Sequence, residues 1–288
     1  EWVAECLWNQ WPNGSGILTL ISSLEQELGM ALFERQRGRL IRNPEAKFFL
    51  QETEAVLDRL NHASRTMREL GNLKEGRLRI ACMPASAQFM LPRLVADFVA
   101  DKPQVKVSLM MRASDVIEEW IASQQYDIGF GEKPPANSAL ETIDFELSCV
   151  CALRHDDPLA QNSVITPQDL SGNPLAVLQE DHPSYIATRD AFDSVGAELI
   201  SRFELRNFQP ALTLVEEQLC YCICDPITAS SYFDYHQGQP NLVFRPFVPH
   251  VPLHLSILLP AHRPASLLAR AFVGLLAVEV ERIQQQFV

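Results

Sequence analysis

Between Phe49 and Leu70 the apolar positions return in alternating steps of four and three: Phe49, Thr53, Val56, Leu60, Ala63, Met67 and Leu70. Charged and polar residues fill the gaps, among them Glu52, Glu54, Asp58, Arg59, Arg65 and Arg68. A 3.5-residue repeat of this kind is the seam of a coiled coil. Pro44 stands where a first-turn proline is tolerated, and Gly71 offers a C-terminal stop. A lone helix of this length is marginal in water, so its seam needs a partner. The pattern predicts a linker helix over 44–75 that pairs with a second copy through Phe49, Val56, Leu60, Met67 and Leu70. An amphipathic helix lying on its own domain is the alternative reading.

The pattern changes on either side of this helix. Residues 1–20 carry Trp2, Trp8 and Trp11 and then Pro12-Asn13-Gly14-Ser15-Gly16, which predicts an irregular, turn-rich segment. From Ile21 the apolar residues Ile21, Leu24 and Leu28 predict a helix, followed by a turn at Gly29. Arg35, Arg37, Arg39 and Arg42 then surround Gly38. Cations so spaced suit a small wing reaching phosphate or a minor groove; the plainer reading is a solvated loop.

Beyond Gly71 short β-rich runs alternate with helical periods. Strands are predicted at 78–82, 105–109 and 127–130, with helices over 89–99 and 115–122 between them. A strand over 147–153 follows, then a short Thr166-capped helix. Strands at 175–178, 200–205 and 219–224 alternate with helices at 185–195, 209–218 and 227–233. Runs at 242–247 and 253–259 cross back, and a last helix covers 266–287. Repeated strand–helix–strand units imply parallel sheets covered on both faces. Ligands bind such sheets beyond the carboxyl ends of their strands, which points to Ser86, Ser114 and Gly131.

Composition refines this picture. The 288 residues give room for two or three domains, and no run of 18 apolar residues is present to span a membrane. The N-terminus has no basic n-region, so a cytoplasmic protein is expected. The net charge of -12 is unevenly spread: 21–79 is mildly basic and 80–288 carries the acidic excess. A basic head on an acidic body suggests that only one end meets nucleic acid. The 7 cysteines include no CxxC pair. Their period-two placement at Cys149/Cys151 and Cys220/Cys222/Cys224 reads as reduced core residues on strands, with a redox or metal sensor as the sharper alternative. Walker A, GxGxxG, HExxH and GxSxG motifs are absent, so neither catalysis, a cofactor nor a metal is expected. The scattered histidines read as ordinary surface or core residues.

Leu24-Glu25-Gln26-Glu27-Leu28-Gly29-Met30-Ala31-Leu32-Phe33-Glu34-Arg35, followed by the arginine wing and Pro44-Glu45-Ala46, resembles the DNA-binding head of LysR-type transcriptional regulators. Ile41-Arg42-Asn43-Pro44-Glu45-Ala46-Lys47 is most similar to the branch that regulates opine and amino-acid catabolism. The likeness extends over 21–288 through His155-Asp156-Asp157-Pro158-Leu159, Asp169-Leu170-Ser171-Gly172 and Asp225-Pro226-Ile227-Thr228-Ala229. It implies an α/β protein with three parts. A partial, aberrant winged helix-turn-helix head covers 1–43 and the linker helix 44–75. An effector domain covers 76–288, its two Rossmann-like lobes (76–152 plus 253–288, and 153–252) similar to periplasmic binding proteins. It further implies DNA, a small-molecule effector and self-association, as a dimer assembling to a tetramer. The effector would lie in the cleft, where the second lobe offers Gln179, Asn207 and Asp225 at strand ends, and Glu132 or Glu180 could pair with a cation. Before Ile21 the family's own helix pattern is missing, which sets up the expectation of a frameshift, a wrong start or a decayed gene upstream of that residue. The second reading is therefore an effector-binding module that has lost specific DNA binding.

Overall fold

The computed structural model describes residues 14–36, 39–69, 75–236 and 240–287, excluding the side chains of 14–18, 35, 36, 39, 40, 55 and 58–69. Trp2, Trp8, Trp11 and Cys6 lie outside these residues. The chain divides into two compact units, 1–62 and 63–288.

In the first unit, helix α1 covers Gly14–Leu28. It begins seven residues before Ile21, so Gly14 to Leu20, expected to be irregular, are helical. Strands β1 (Phe33–Gln36) and β2 (Arg39–Arg42) form an antiparallel hairpin with Phe33 opposite Arg42 and Gln36 opposite Arg39. The sequence-predicted wing therefore exists as a β-ribbon. Glu25 fastens it to α1: its Oε1 accepts the N–H of Leu32 at 2.7 Å and of Phe33 at 3.1 Å. Helix α2 spans Pro44–Glu69. Asn43 starts it by accepting the Ala46 N–H through Oδ1 at 2.8 Å, while Pro44 gives up a donor that would have no helical acceptor.

The second unit holds two five-stranded sheets. The first uses β3 (Glu75–Cys82), β4 (Gln104–Met111), β5 (Ile128–Glu132), β6 (Leu140–Ser148) and β12 (Pro252–Pro260) in the order β4-β3-β5-β12-β6. The second uses β7 (Val150–Arg154), β8 (Pro174–Leu178), β9 (Ile200–Leu205), β10 (Tyr221–Cys224) and β11 (Leu242–Pro246) in the order β11-β7-β10-β8-β9. Each contains three parallel strands whose middle member is first in sequence, β4-β3-β5 and β9-β8-β10, and two antiparallel strands complete each sheet.

Helices cover the sheets: α3 (Pro84–Ala87), α4 (Met90–Val99) and α5 (Ser114–Ala122) in the first lobe, and α6 (Pro167–Leu170), α7 (Pro183–Asp193), α8 (Gln209–Glu216) and α9 (Pro226–Tyr235) in the second. The last helix, α10 (Leu267–Gln286), buries Leu268, Phe272, Leu276, Val280 and Ile283. Close packing of α5 on β5 depends on Gly129, where a Cβ would stand 2.8 Å from Ile121 and 2.9 Å from Ile117.

Two differences from the sequence-predicted elements have clear causes. The run 147–153 is not one strand: it breaks at Cys149, whose N–H donates to Val251 O at 2.9 Å, and the chain changes sheets there. Strand β6 was not anticipated over most of its length. It is an edge strand in which Ile143, Phe145 and Leu147 alternate with Thr142, Asp144 and Glu146, a period-two signal that the sequence reading passed over; charge on an edge discourages pairing with other chains.

Candidate functional site

The carboxyl ends of all six parallel strands meet in one cleft of about 570 Å³ between the lobes. In both sheets the first strand lies between the other two, so the chain departs to either side and leaves a crevice at the switch point. Met83, Arg112 and Glu132 come from the ends of β3, β4 and β5; Gln179, Asn207 and Asp225 come from β8, β9 and β10. Its size suits a small molecule of metabolite dimensions. Both signs of charge face it: Arg112 and Arg206 against Asp115, Glu132 and Asp225.

Four of the six residues expected to bind effector line this cleft: Ser114, Gln179, Asn207 and Asp225. Ser114 opens α5, whose N-cap Ala113 has no side-chain cap, so the helix presents its first amides uncovered. The Ser114 Oγ accepts the Glu132 N–H at 3.1 Å, which leaves its own proton to donate. Gly131 does not line the cleft, but it makes this contact possible: a Cβ there would come 3.1 Å from the Ser114 Oγ. Ser86 is fully buried and donates to Met83 O at 3.0 Å. It does not open its helix as expected: Met83 is the N-cap of α3 and Pro84 its first residue, so Ser86 lies within the turn.

The second lobe's residues are already partly engaged. Asp225 is the N-cap of α9, accepting the Thr228 N–H and Oγ1–H, each at 2.7 Å. Burial pushes its carboxyl above the usual value, against the downward pull of the two Thr228 hydrogen bonds. Asn207 accepts the Gln209 N–H through Oδ1 at 3.2 Å. Glu180 is exposed and outside the cleft lining.

Sequence reasoning passed over His182, which had read as an ordinary histidine. It is the N-cap of α7, its Nδ1 accepting the Ser184 N–H at 3.1 Å. Its Nε2 lies 2.9 Å from Oε1 of Glu132 in the opposite lobe. The local string Asp181-His182-Pro183 does signal a helix start, since Pro favours the first helical position. The partner across the cleft is 50 residues away in sequence and leaves no local trace.

Outside the cleft lining a second polar group joins the lobes. Arg93 on α4 reaches Asp234 on α9 at 2.8 Å and also pairs with Glu279 on α10. Arg282 binds Glu279 at 2.8 Å and donates to the Ser230 Oγ at 3.1 Å.

In the head, Arg42 is exposed at the end of β2. Arg35 and Arg39 are placed by backbone only, on β1 and β2; their side chains and all of Arg37 lie outside the described residues. Of the expected pairing seam, Phe49 is half-buried beside Leu28, Met30, Leu32 and Phe48. Val56 is 61% exposed and its neighbour Leu57 52%. Leu70 and the side chains of Leu60 and Met67 lie outside the described residues.

Five of the described cysteines divide between two faces. Cys149 and Cys151 belong to one face of the second sheet, packed into the main core, while Cys220, Cys222 and Cys224 belong to the other. Burial pushes all five thiols up, Cys220 to about 11. Among the described residues no group of acids, histidines and cysteines is arranged to hold a metal ion, and no helix is long and apolar enough to cross a membrane.

Residues 71–280 match the family described as the LysR substrate binding domain. The chain is 31% identical over 263 residues to the transcriptional activator protein LysR of Escherichia coli, covering 88% of this chain and 80% of that one. It is 31% identical over 229 residues to the octopine catabolism/uptake operon regulatory protein OccR of Rhizobium meliloti, covering 79% and 76%. Full-length CbnR in complex with its target DNA superposes with a TM-score of 0.61 at 18% identity, covering 90% of this chain and 88% of that one. The chain belongs to the LysR family of transcriptional regulators. The relatives are regulators and not enzymes.

Proposed function

We propose that the protein is a DNA-binding transcriptional regulator whose cleft holds an amphoteric small molecule, an amino acid or an opine-like conjugate of one. The observation that carries this reading is the meeting of six strand ends in a cleft lined by two arginines and three acids. A carboxylate fits the uncapped start of α5 beside the Ser114 hydroxyl, where helix amides and dipole favour an anion. A cationic group fits the acids. The relatives add weight: one is named for an octopine operon, and a structural neighbour was solved on its target DNA.

In this reading the wing arginines Arg35, Arg37, Arg39 and Arg42 contact DNA phosphate. The α2 seam joins two copies, covering the exposed Val56, and dimers pair to a tetramer. The effector shifts the lobes only by its differential affinity for their arrangements.

Fluorescence anisotropy of the chain with the DNA upstream of its own gene, across a salt series, tests this. The expected result is sequence preference over random DNA with a steep salt slope, altered by an amino-acid or opine effector. Loss of preference with the second unit folded and still binding effector would instead establish the sensor module without a DNA reader.

A further inference from the structure

The contact between His182 and Glu132 does more than bridge two lobes. His182 accepts the Ser184 N–H through Nδ1 at 3.1 Å, so in the neutral ring the proton sits on Nε2. That Nε2–H is thereby aimed at the Glu132 carboxylate, 2.9 Å away. Glu132 is held in turn: its backbone N–H is bound to the Ser114 Oγ at 3.1 Å. A donor bonded to a carboxylate between two half-sites occupies the place a ligand's cation would take. Both side chains are about one-third exposed, His182 at 28% and Glu132 at 35%, so the bond can exchange without unpacking a core.

We infer that Glu132 receives the cationic end of the effector and that His182 holds this carboxylate in the empty cleft, so that the effector binds by displacing the imidazole. This rests on the amphoteric-ligand reading above. The imidazole is a built-in competitor. The fraction of molecules with Glu132 free sets the apparent affinity, and an amine or guanidinium that brings a full charge wins the exchange. A ligand whose side chain has neither charge nor donor has no side-chain means of displacing the imidazole. Glu132 and His182 therefore set both selectivity for a cation and the bond broken between the lobes on binding.

Calorimetric titration with L-arginine, and with L-norvaline as the probe lacking a side-chain cation, tests this in the full chain and two variants. His182→Asn is the decisive change. The Asn Oδ1 occupies the position of the imidazole Nδ1, so the α7 cap is retained, but the arm that reaches Glu132 is gone. Affinity for L-arginine is expected to rise about 2- to 10-fold in His182→Asn, and to fall about 10- to 100-fold in Glu132→Gln. L-Norvaline should bind weakly to all three. An unchanged or reduced affinity in His182→Asn overturns the competitor role. Unchanged affinity in Glu132→Gln overturns the cation-receiving role; if Ser114→Ala still abolishes that binding, the cleft reading survives alone. No saturable binding of L-arginine, L-lysine or octopine to the wild type overturns both readings.

Discussion

Arg93 Nη1 of the first lobe lies 2.8 Å from Asp234 Oδ2 of the second. The same guanidinium pairs with Glu279, whose side chain is only 10% exposed. The lobes are thus tied by this network as well as by the His182–Glu132 contact in the cleft. Removing Arg93 leaves two carboxylates sharing Arg282 alone. Arg93→Ala is expected to lower stability by about 1–2 kcal/mol, more than an exposed ion pair would lose. Urea denaturation checks the loss, and a double-mutant cycle with Asp234→Ala isolates the pair; a coupling of zero would mean the contact ties nothing.

Gly129→Ala tests the seating of α5 on its sheet. The added methyl would meet Ile121 at 2.8 Å, Ile117 at 2.9 Å and the Leu258 Cβ at 3.0 Å. Overpacking of this kind costs about 1–3 kcal/mol. A lowered thermal midpoint should accompany weakened effector binding, because α5 carries Ser114. Unchanged melting would show that the helix can shift freely.

The thiols of the second sheet should be inert. With Cys220 pushed up to about 11, only about one in a thousand is thiolate at pH 8. Cys222 and Cys224 are fully buried, as are Cys149 and Cys151. Alkylation followed by peptide mass spectrometry should modify these five cysteines only after denaturant is added. Rapid native labelling of Cys220 or Cys222 would revive a redox role.

A pH effect is expected at Arg154. Its guanidinium forms a two-pronged pair with Asp156, at 2.8 and 2.6 Å, and holds that carboxyl down at about 2. The folded value is below the unfolded one, so the pair's contribution is present above the ordinary carboxylate range and disappears as pH falls toward 2. Carboxyl-carbon NMR should give a midpoint near this value. In Arg154→Gln the midpoint should return toward 3.8, and a midpoint that stays put would mean another group causes the shift.

Much of the second unit was legible because its elements are local. Leu91, Leu94, Val95 and Phe98 repeat at helical spacing, and α4 lies there; Ser266 caps α10 by accepting the Ala269 N–H at 3.1 Å. Edge strand β6 did carry a period-two pattern at Ile143, Phe145 and Leu147 that was passed over, and the start of α1 at Gly14 was hidden by Gly and Ser, which read as turn residues. The site was half legible. A strand's end can be read from the sequence, so Ser114, Gln179, Asn207 and Asp225 were found at the cleft. The direction a side chain faces depends on its position within the helical turn, and Ser86 is the third residue of α3 rather than its cap, which turns its hydroxyl to the Met83 carbonyl. His182 needed the fold itself, since nothing in its neighbourhood names Glu132.

The chain leaves the first sheet after β6 and returns only with β12, which inserts between β5 and β6. Strands β7 to β11 form one uninterrupted stretch, Val150 to Pro246. During vectorial synthesis the second sheet therefore has all its strands before the first has its fifth. Until Pro252–Pro260 leaves the ribosome, β5 has an open edge and β6 has no partner. The first lobe is begun earliest and completed last, so a chain terminated between residues 246 and 252 has every strand of the second sheet attached to an unfinished first one.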